Sequence, residues 1–429
     1  MHDNTLVRAL QKLGYKNISL VPTYTPIRTD EDDVSVDQVF FGGINVFLQQ
    51  SIPVFRWLPN FLDRFLDHPR IIRRATSRSI EIRPAMLGEL AVSMLKGTEG
   101  NQRKEVNRLA SWMAKTEQTD LVVFSNLLIG GVIPEIKKRL GIPVVVTLQG
   151  DDMFLDSLPE KYRKQCIQLM SQIGEQVDAF VCHSEFYKQY MADYLQVDSN
   201  KIFVTPLGLD TVDFQTLNVW GDRAESQASP DSQSNKFVIG YLARLAPEKG
   251  LDLLIDAFIQ AKQSDDDLAG LKLSVAGWLG DDDKQFADEQ FAKLDAAGLQ
   301  DDYEYVGSVS RQEKLDFLKR LDLFCVPARF QEPKGIYALE ALAAGLPVLA
   351  PRHGAFPELL SEVANEALFD CDKDAVQNLT QRILQFSRSS ETCQRIAGAG
   401  RELVFSHRNC HEMALATSAI FEKLLSGSG

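Results

Sequence analysis

The sequence contains no apolar run that approaches the length of a membrane span, and it has fewer basic than acidic residues. Its 46 Lys and Arg residues against 59 Asp and Glu residues give a formal net charge of −13, which argues against general binding to nucleic acid. The first residues, Met1 to Asn4, are polar and do not resemble the start of a secretory signal. We therefore expect a cytoplasmic protein.

Cysteine and histidine are scarce and scattered along the chain. The six cysteines form no Cys-x-x-Cys pair, and the six histidines form no ligand-spaced cluster with them. This spacing argues against a structural metal and favours buried free thiols in a reducing compartment. We predict no metal and no cofactor. The cysteines are Cys166, Cys182, Cys325, Cys371, Cys393 and Cys410.

Two series of alternating strands and helices predict an α/β protein with two domains. The length of 429 residues suits two domains of usual size, and short buried strands recur between helical segments, as in βαβ units. The polar segment Asn218–Lys236 separates the series. We predict domains over 1–216 and 236–405, a linker over 217–235 and a last helical segment over 406–429. The predicted strands are Leu121–Phe124, Val144–Thr147, Ala179–Cys182, Ile202–Thr205, Phe237–Tyr241, Leu271–Ala276, Glu304–Val306, Leu323–Val326 and Val348–Ala350.

The start of the chain departs from the usual order of a doubly wound domain. A helix over Asn4–Leu13 precedes the first predicted strand, Ile18–Val21, whereas such a domain opens on a strand and a glycine-rich turn. We therefore expect the coding region upstream of Met1 to encode that strand and turn. Without them we expect the chain to be poorly stable or inactive, because a strand buried on both faces would be missing.

Residues 332–350 combine two carboxylates with the start of a helix. Glu332 and Glu340 flank Gly335, where a loop gives way to a helix from Ile336 to about Ala344. The unpaired backbone N–H groups at a helix start favour a phosphate. Carboxylates beside a phosphate suit hydroxyl groups, such as those of a ribose and of a second sugar. This stretch therefore predicts a site for a nucleotide sugar.

Two cations follow the first strand of the second series. Arg244 and Lys249 lie on the loop at the carboxyl end of that strand, where open α/β sheets bind ligands. An Arg fork and a Lys point charge can stabilise the negative charge that grows on a departing pyrophosphate without a metal ion. Gly277 and Gly307 end two further strands and are predicted to lie where the nucleotide passes.

These motifs resemble the signature of the retaining glycosyltransferases of the GT-B fold, most closely family 4. The resemblance rests on Gly240-Tyr-Leu-Ala-Arg244-Leu-Ala-Pro-Glu-Lys249-Gly250, on Glu332-x7-Glu340 and on the turn Gly354-Ala-Phe-Pro-Glu358. It implies two Rossmann-like doubly wound domains facing a cleft, with the last helix crossing back onto the N-terminal, acceptor-binding domain. It also implies transfer of a sugar from a nucleotide diphosphate sugar to a hydroxyl acceptor, with retention of configuration and without a metal. The acceptor class (saccharide, lipid or small molecule) is left open.

The resemblance also implies roles for single residues in the second domain. The catalytic residues are Arg244, Lys249 and Glu332, with Glu332 against hydroxyls of the transferred sugar. Lys334 either adds a phosphate contact or faces water. Base selection falls to the loop around 306–311. The residues implied in donor binding are Glu340 against the ribose, the backbone of Gly335 and Ile336 at the distal phosphate, Lys334, Gly277 and Gly307.

Four residues of the first domain are implied to face the acceptor or the transferred sugar. Gly42 and Gly43 are either a plain tight turn or a loop near the acceptor or the distal phosphate. Gln149 lies two residues after the strand Val144–Thr147 and stands where family 4 often has a histidine; glutamine forms hydrogen bonds but cannot act as a base. Asp151 follows two residues later.

Residues 55–83 form a local patch that is both basic and apolar, in which seven arginines alternate with aromatic and aliphatic residues. One interpretation is a solvated helical excursion packed on the first domain. The other is a peripheral contact with an acceptor or with the inner face of a membrane.

Two other functions compete with glycosyl transfer. A sugar-nucleotide epimerase of the same fold would need acid and base carboxylates, for which Asp151 and Asp152 are candidates. A non-catalytic nucleotide-sugar-binding protein is the second rival, which the intact Arg244, Lys249, Glu332 and Glu340 oppose.

Overall fold

The structure is a computed structural model that describes residues 2–23, 36, 39–56, 84–115, 119–226, 236–264 and 269–427. The chain divides into two compact units. The first comprises residues 1–205 and 413–429, and the second comprises 206–412. Both contain a parallel sheet with helices, which confirms the predicted α/β class. No helix in the described ranges is long and apolar enough to span a membrane.

The described part of the first unit contains a four-stranded parallel sheet in the order β1-β2-β3-β4. Strands β2 and β3 are buried along their whole length, because helices cover a parallel sheet on both faces. The strands are β1 Val122–Phe124, β2 Val144–Thr147, β3 Ala179–Cys182 and β4 Ile202–Val204. The helices are α1 His2–Lys12, α2 Gly43–Ser51, α3 Pro84–Leu95, α4 Arg103–Lys115, α5 Ile133–Leu140, α6 Asp151–Asp156, α7 Glu160–Gly174 and α8 Glu185–Leu195.

The second unit contains a six-stranded parallel sheet in the order β10-β9-β8-β5-β6-β7. The order reverses beside β5, the first strand of the unit, as in a doubly wound fold. The strands are β5 Phe237–Leu242, β6 Leu271–Ala276, β7 Tyr303–Gly307, β8 Leu323–Cys325, β9 Val348–Pro351 and β10 Leu368–Phe369. The helices are α9 Val219–Ser226, α10 Leu251–Ser264, α11 Lys284–Ala296, α12 Arg311–Lys319, α13 Ile336–Ala343, α14 Phe356–Leu360, α15 Ala375–Ser387, α16 Ser390–His407 and α17 Cys410–Ser426.

The predicted domain limits need correction at the linker. The division falls at Thr205, not at residue 216, and helix α9 occupies much of the predicted linker. This helix packs into the second unit: Val219 and Trp220 are buried, and the Trp220 indole donates to the Asp322 carbonyl oxygen at 2.9 Å. Because of these buried contacts, the segment is a packed helix and not the linker that its polar composition predicted. Helix α17 begins in the second unit, and its residues from Met413 belong to the first.

The predicted strand Ile18–Val21 is also corrected. The segment forms no regular strand; Leu20 is a single bridge residue, whose carbonyl oxygen accepts from the Val36 amide at 2.9 Å. Further along, Phe40 forms a single bridge to Thr23. Ile18, Leu20 and Val21 are only partly buried, whereas a central strand of a parallel sheet is buried on both faces.

Candidate functional site

The candidate site is built where β5 and β8 of the second unit end and α13 begins. Lys249 ends the short helical turn Pro247–Lys249, which follows β5. Its ammonium lies 3.1 Å from Glu332 Oε2, and the lysine and glutamate side chains are 18% and 9% exposed. The resemblance had placed Lys249 at the pyrophosphate and Glu332 at the sugar. The structure brings the two residues into one ion pair.

Tyr337 completes this pair and was not predicted from the sequence. Its hydroxyl donates to Glu332 Oε2 at 3.1 Å, and its ring lies 5.2 Å from the Lys249 ammonium. The Phe330 ring lies 4.4 Å from the same ammonium. Burial and the nearby Glu332 carboxylate raise the pKa of Tyr337 well above its ordinary value, so the phenol remains a hydrogen-bond donor. The sequence does show an aromatic residue, Tyr337, at the second position of this helix, and that was the only sign of its role.

The start of α13 follows directly from the loop that carries Glu332. Gly335 is its N-cap residue in the left-handed region, with φ 71°, a conformation that glycine adopts at little cost. The first backbone bond of the helix runs from the Ala338 amide to the Gly335 carbonyl oxygen. The amides of Ile336 and Tyr337 precede this bond and are the ones that a helix start offers to an anion. Lys334 is partly buried in the preceding loop.

Glu340 lies on the second turn of α13 and is 7% exposed. Lys314 Nζ lies 2.5 Å from Glu340 Oε1. Lys314 belongs to α12, which follows β7, and it was not predicted as a site residue. The contact joins the first turn of α12 to the second turn of α13.

Arg244 and the two strand-end glycines lie along the same edge of the sheet. The Arg244 side chain is 44% exposed and is paired with Glu248. The Leu245 amide donates to the Trp278 carbonyl oxygen at 3.0 Å, and the Gly277 amide donates to the Gly307 carbonyl oxygen at 2.9 Å. The loops after β5, β6 and β7 are therefore held to one another at their carboxyl ends.

The residues of the first unit that were predicted to face the sugar belong to two different hydrogen-bond networks, one at the Gly42–Gly43 turn and one at the end of β2. Gly42 is the N-cap residue of α2, with φ −49°, and the positive φ (51°) falls on Phe41. Glu105 fixes the turn: its buried carboxylate accepts from the Phe41 amide at 3.2 Å and from Asn45 Nδ2 at 2.9 Å.

Gln149 and Asp151 lie at the carboxyl end of β2. Gln149 Nε2 donates to the Ser125 carbonyl oxygen at 2.6 Å, and Asp151 is 2% exposed at the start of α6. The Tyr187 hydroxyl donates to Asp152 Oδ1 at 2.5 Å and accepts from the Gly150 amide at 2.8 Å. Burial raises the pKa of Asp152, so this carboxyl holds a proton more readily than an exposed one.

The basic and apolar patch over 55–83 lies outside the described residues except for Phe55 and Arg56. The Arg56 guanidinium donates to the carbonyl oxygens of Gln49 and Gln50, at 2.7 and 3.0 Å. The two interpretations of the patch therefore stay predictions. In the described ranges, no group of three or more His, Cys, Asp or Glu side chains could hold a metal ion.

Two family models match this chain. The model described as Glycosyl transferases group 1 matches residues 222–403, and the model described as Glycosyltransferase Family 4 matches residues 94–213. A D-inositol 3-phosphate glycosyltransferase of Segniliparus rotundus is 24% identical over 241 residues, 55% of this chain and 51% of that protein. The mannosyltransferase LpsB of lipopolysaccharide core biosynthesis in Rhizobium meliloti is 27% identical over 234 residues, 54% of this chain and 63% of that protein. The chain thus spans about half the length of the curated relatives it matches.

Solved structures share the fold. Sucrose-phosphate synthase of Thermosynechococcus elongatus has a TM-score of 0.62 at 18% identity, covering 76% of this chain and 79% of that one. Anabaena Alr3699/HepE in complex with UDP-glucose has a TM-score of 0.62 at 16% identity, covering 95% of this chain and 100% of that one. These likenesses confirm the predicted GT-B fold.

Proposed function

We propose that this chain, which matches two glycosyltransferase family models, transfers a sugar from a nucleoside diphosphate sugar to a hydroxyl acceptor. We propose further that the anomeric configuration is retained and that no metal ion is needed. One observation carries the proposal: Lys249, Glu332 and Tyr337 converge beside the first amides of α13.

The two charges of this cluster suit the two halves of such a donor. Lys249 and the amides of Ile336 and Tyr337 can bind the diphosphate oxygens. Both described contacts of the Glu332 carboxylate use Oε2, so Oε1 can accept a hydrogen bond from a hydroxyl of the transferred sugar. Tyr337 and Lys249 would hold that carboxylate in one orientation.

The proposed chemistry places growing negative charge where the cations lie. The bond from the anomeric carbon to the diphosphate oxygen breaks, and the acceptor oxygen bonds to the same face of that carbon. The acceptor proton passes to the departing phosphate oxygen, which acts as the base. Arg244, Lys249 and the start of α13 stabilise the charge on the diphosphate as it leaves.

A donor screen tests the proposal. UDP-, GDP- and ADP-sugars are added to the full chain, and the melting temperature is followed; UDP-glucose comes first, because Anabaena Alr3699/HepE is known in complex with it. A ligand at 100 times its Kd stabilises the folded state by about 2.7 kcal/mol. The donor that binds is then incubated with candidate saccharide, lipid and small-molecule acceptors, and the anomeric proton coupling of the product reports retention. If no nucleoside diphosphate sugar raises the melting temperature, the proposal fails.

The Asp152–Tyr187 contact keeps the epimerase as a second candidate. A buried carboxyl with a raised pKa beside a phenol is a source of protons for acid–base chemistry. The donor incubated without acceptor separates the two functions. An epimerase would convert the donor sugar to its epimer or release it, whereas a glycosyltransferase leaves most of the donor intact. A chain that binds the donor but does neither reaction, with any acceptor, is a binding protein.

A further inference from the structure

The ion pair between Lys314 and Glu340 is largely shielded from solvent. The Lys314 side chain is 16% exposed and that of Glu340 is 9% exposed, with Nζ and Oε1 2.5 Å apart. Glu340 is the one charged residue of α13, whose sequence is otherwise Ile, Tyr, Ala and Leu. A charge on an apolar helix needs a compensating partner, and Lys314 provides it.

Lys314 is held in place by the start of its own helix. Ser310 and Glu313 form a capping box: the Ser310 hydroxyl accepts from the Glu313 amide at 3.4 Å, and Glu313 accepts from the Ser310 amide at 2.8 Å. The Lys314 amide bonds to the Ser310 carbonyl oxygen at 2.9 Å. Arg311 is paired with Asp213 on the other side of the same turn. The Lys314 backbone is thus fixed where the loop after β7 becomes a helix.

Stability does not account for this pair. Desolvating two charges offsets most of their attraction, and an apolar pair of similar volume is often as stable or more stable. The residues one turn from Glu340 on the same face of α13 are Ile336, Tyr337 and Ala343, against which an apolar side chain could pack. The presence of two charges at this buried position therefore favours a role in binding.

We infer that Lys314 is a positioning residue that fixes the Glu340 carboxylate as the acceptor for the 2′ and 3′ hydroxyls of the nucleotide ribose. Lys314 holds Oε1, so that Oε2 can accept from the diol. The inference rests on the proposed function.

Affinities for nucleotides with and without the diol test this role. The probes are the nucleoside 5′-diphosphate of the base that binds best and its 2′,3′-dideoxy analogue, and Kd is measured by titration calorimetry on the full chain. In the wild type, we expect the dideoxy analogue to bind about 10- to 100-fold more weakly, because hydrogen bonds to a carboxylate are lost. In Lys314→Met, this ratio should fall towards one, while the Kd of the dideoxy analogue changes by less than about 3-fold.

Four further variants make the test specific to Lys314. Glu340→Gln should lower the ratio as Lys314→Met does, and Lys314→Arg, which retains the charge, should restore much of it. The matched control is Lys293→Met, which removes a lysine paired with Asp256 at 2.7 Å on the exposed surface; its ratio should equal that of the wild type. If Lys314→Met unfolds, the double variant Lys314→Met/Glu340→Gln removes the uncompensated charge, and its ratio should be close to one.

Each outcome separates the inference from the function. If Lys314→Met retains the wild-type ratio, or weakens both nucleotides equally, Lys314 does not act through the diol, although the proposed function stands. If the wild type binds no nucleoside diphosphate, the proposed function fails and the inference fails with it.

Discussion

Lys249 and Glu332 lie 83 residues apart in the chain, and their charged atoms are 3.1 Å apart. The two residues come from separate motifs, one after β5 and the other before α13. Tyr337 and Phe330 enclose the pair, so little water screens it. A change to either residue therefore leaves the other charge without its partner.

This contact predicts coupling between the two positions. Lys249→Met should lower the free energy of unfolding by about 3 kcal/mol, because Glu332 stays buried without a cation. Adding Glu332→Gln should recover much of that loss. The free energies come from urea unfolding of the wild type, the single variants Lys249→Met and Glu332→Gln, and the double variant. Lys293→Met, which breaks an exposed pair, serves as the control and should change the free energy of unfolding little. Strictly additive losses in the double variant would mean that the pair does not interact in solution.

Arg244 is expected to act on the reaction and not on the fold. Its side chain is 44% exposed, so Arg244→Ala should leave the melting temperature nearly unchanged. Removing a cation from the departing diphosphate should lower kcat/KM by roughly 30- to 1,000-fold, equivalent to about 2–4 kcal/mol. The control is Arg395→Ala, a half-exposed arginine paired with Glu366 at 3.0 Å on α16. Wild-type turnover in Arg244→Ala would remove Arg244 from the site.

Activity is expected to survive exhaustive chelation. In the proposed mechanism, Lys249, Arg244 and the amides at the start of α13 supply the positive charge at the diphosphate that a divalent ion could otherwise supply. Initial rates are compared before and after treatment with EDTA and passage over a chelating resin, and then after Mg²⁺ or Mn²⁺ is restored. A rate that is lost on chelation and returns with the metal would contradict the proposed metal-independent donor site.

The local features of the candidate site could be predicted from the sequence, and its pairings could not. The helix over Ile336–Ala343 and the loop with Lys249 follow from composition and turn residues within a short window. Lys314 and Tyr337 were missed because their role depends on which loops meet in space. Lys314 is 26 residues from Glu340, and nothing in the sequence around it marks it as more than a surface lysine.

The same limit explains the errors in the fold. The segment around Trp220 is polar in composition, yet the indole finds a buried carbonyl oxygen 102 residues away. Ile18–Val21 has the composition of a strand, but among the described residues it contains only one bridge residue, Leu20. Composition predicts what a segment can form, whereas its tertiary neighbours decide what it forms.

Gly250 follows Lys249 of the candidate site, and a side chain at this position is expected to destabilise the fold. Its φ is 73°, and a Cβ added there would lie 1.9 Å from the Pro327 carbonyl oxygen. Gly298 has the same φ but no atom within 4 Å of an added Cβ. Gly298→Ala should therefore lose only the cost of the left-handed conformation, roughly 1–2 kcal/mol. Gly250→Ala should lose clearly more, measured by urea unfolding. Equal losses would contradict the close approach to Pro327.

The thiols are expected to fall into two classes. Cys166, Cys182, Cys325 and Cys393 are buried, whereas Cys371 and Cys410 are partly exposed. Burial raises the pKa of Cys166 to about 11 and that of Cys393 to about 12, and it raises the pKa of Cys325 as well. A raised pKa means less thiolate, the reactive form, at any pH below it, so at pH 8 about 0.1% of Cys166 would be ionised even if a reagent reached it.

Alkylation by iodoacetamide at pH 8, followed by mass spectrometry of the peptides, measures this difference. In the folded chain, Cys371 and Cys410 should be labelled first, and the four buried cysteines should be labelled only as the chain opens. In 6 M guanidinium, all six should react at similar rates, which controls for the reagent and the digestion. If Cys166 is labelled in the folded chain as fast as Cys371, its placement in the core of the first unit is wrong.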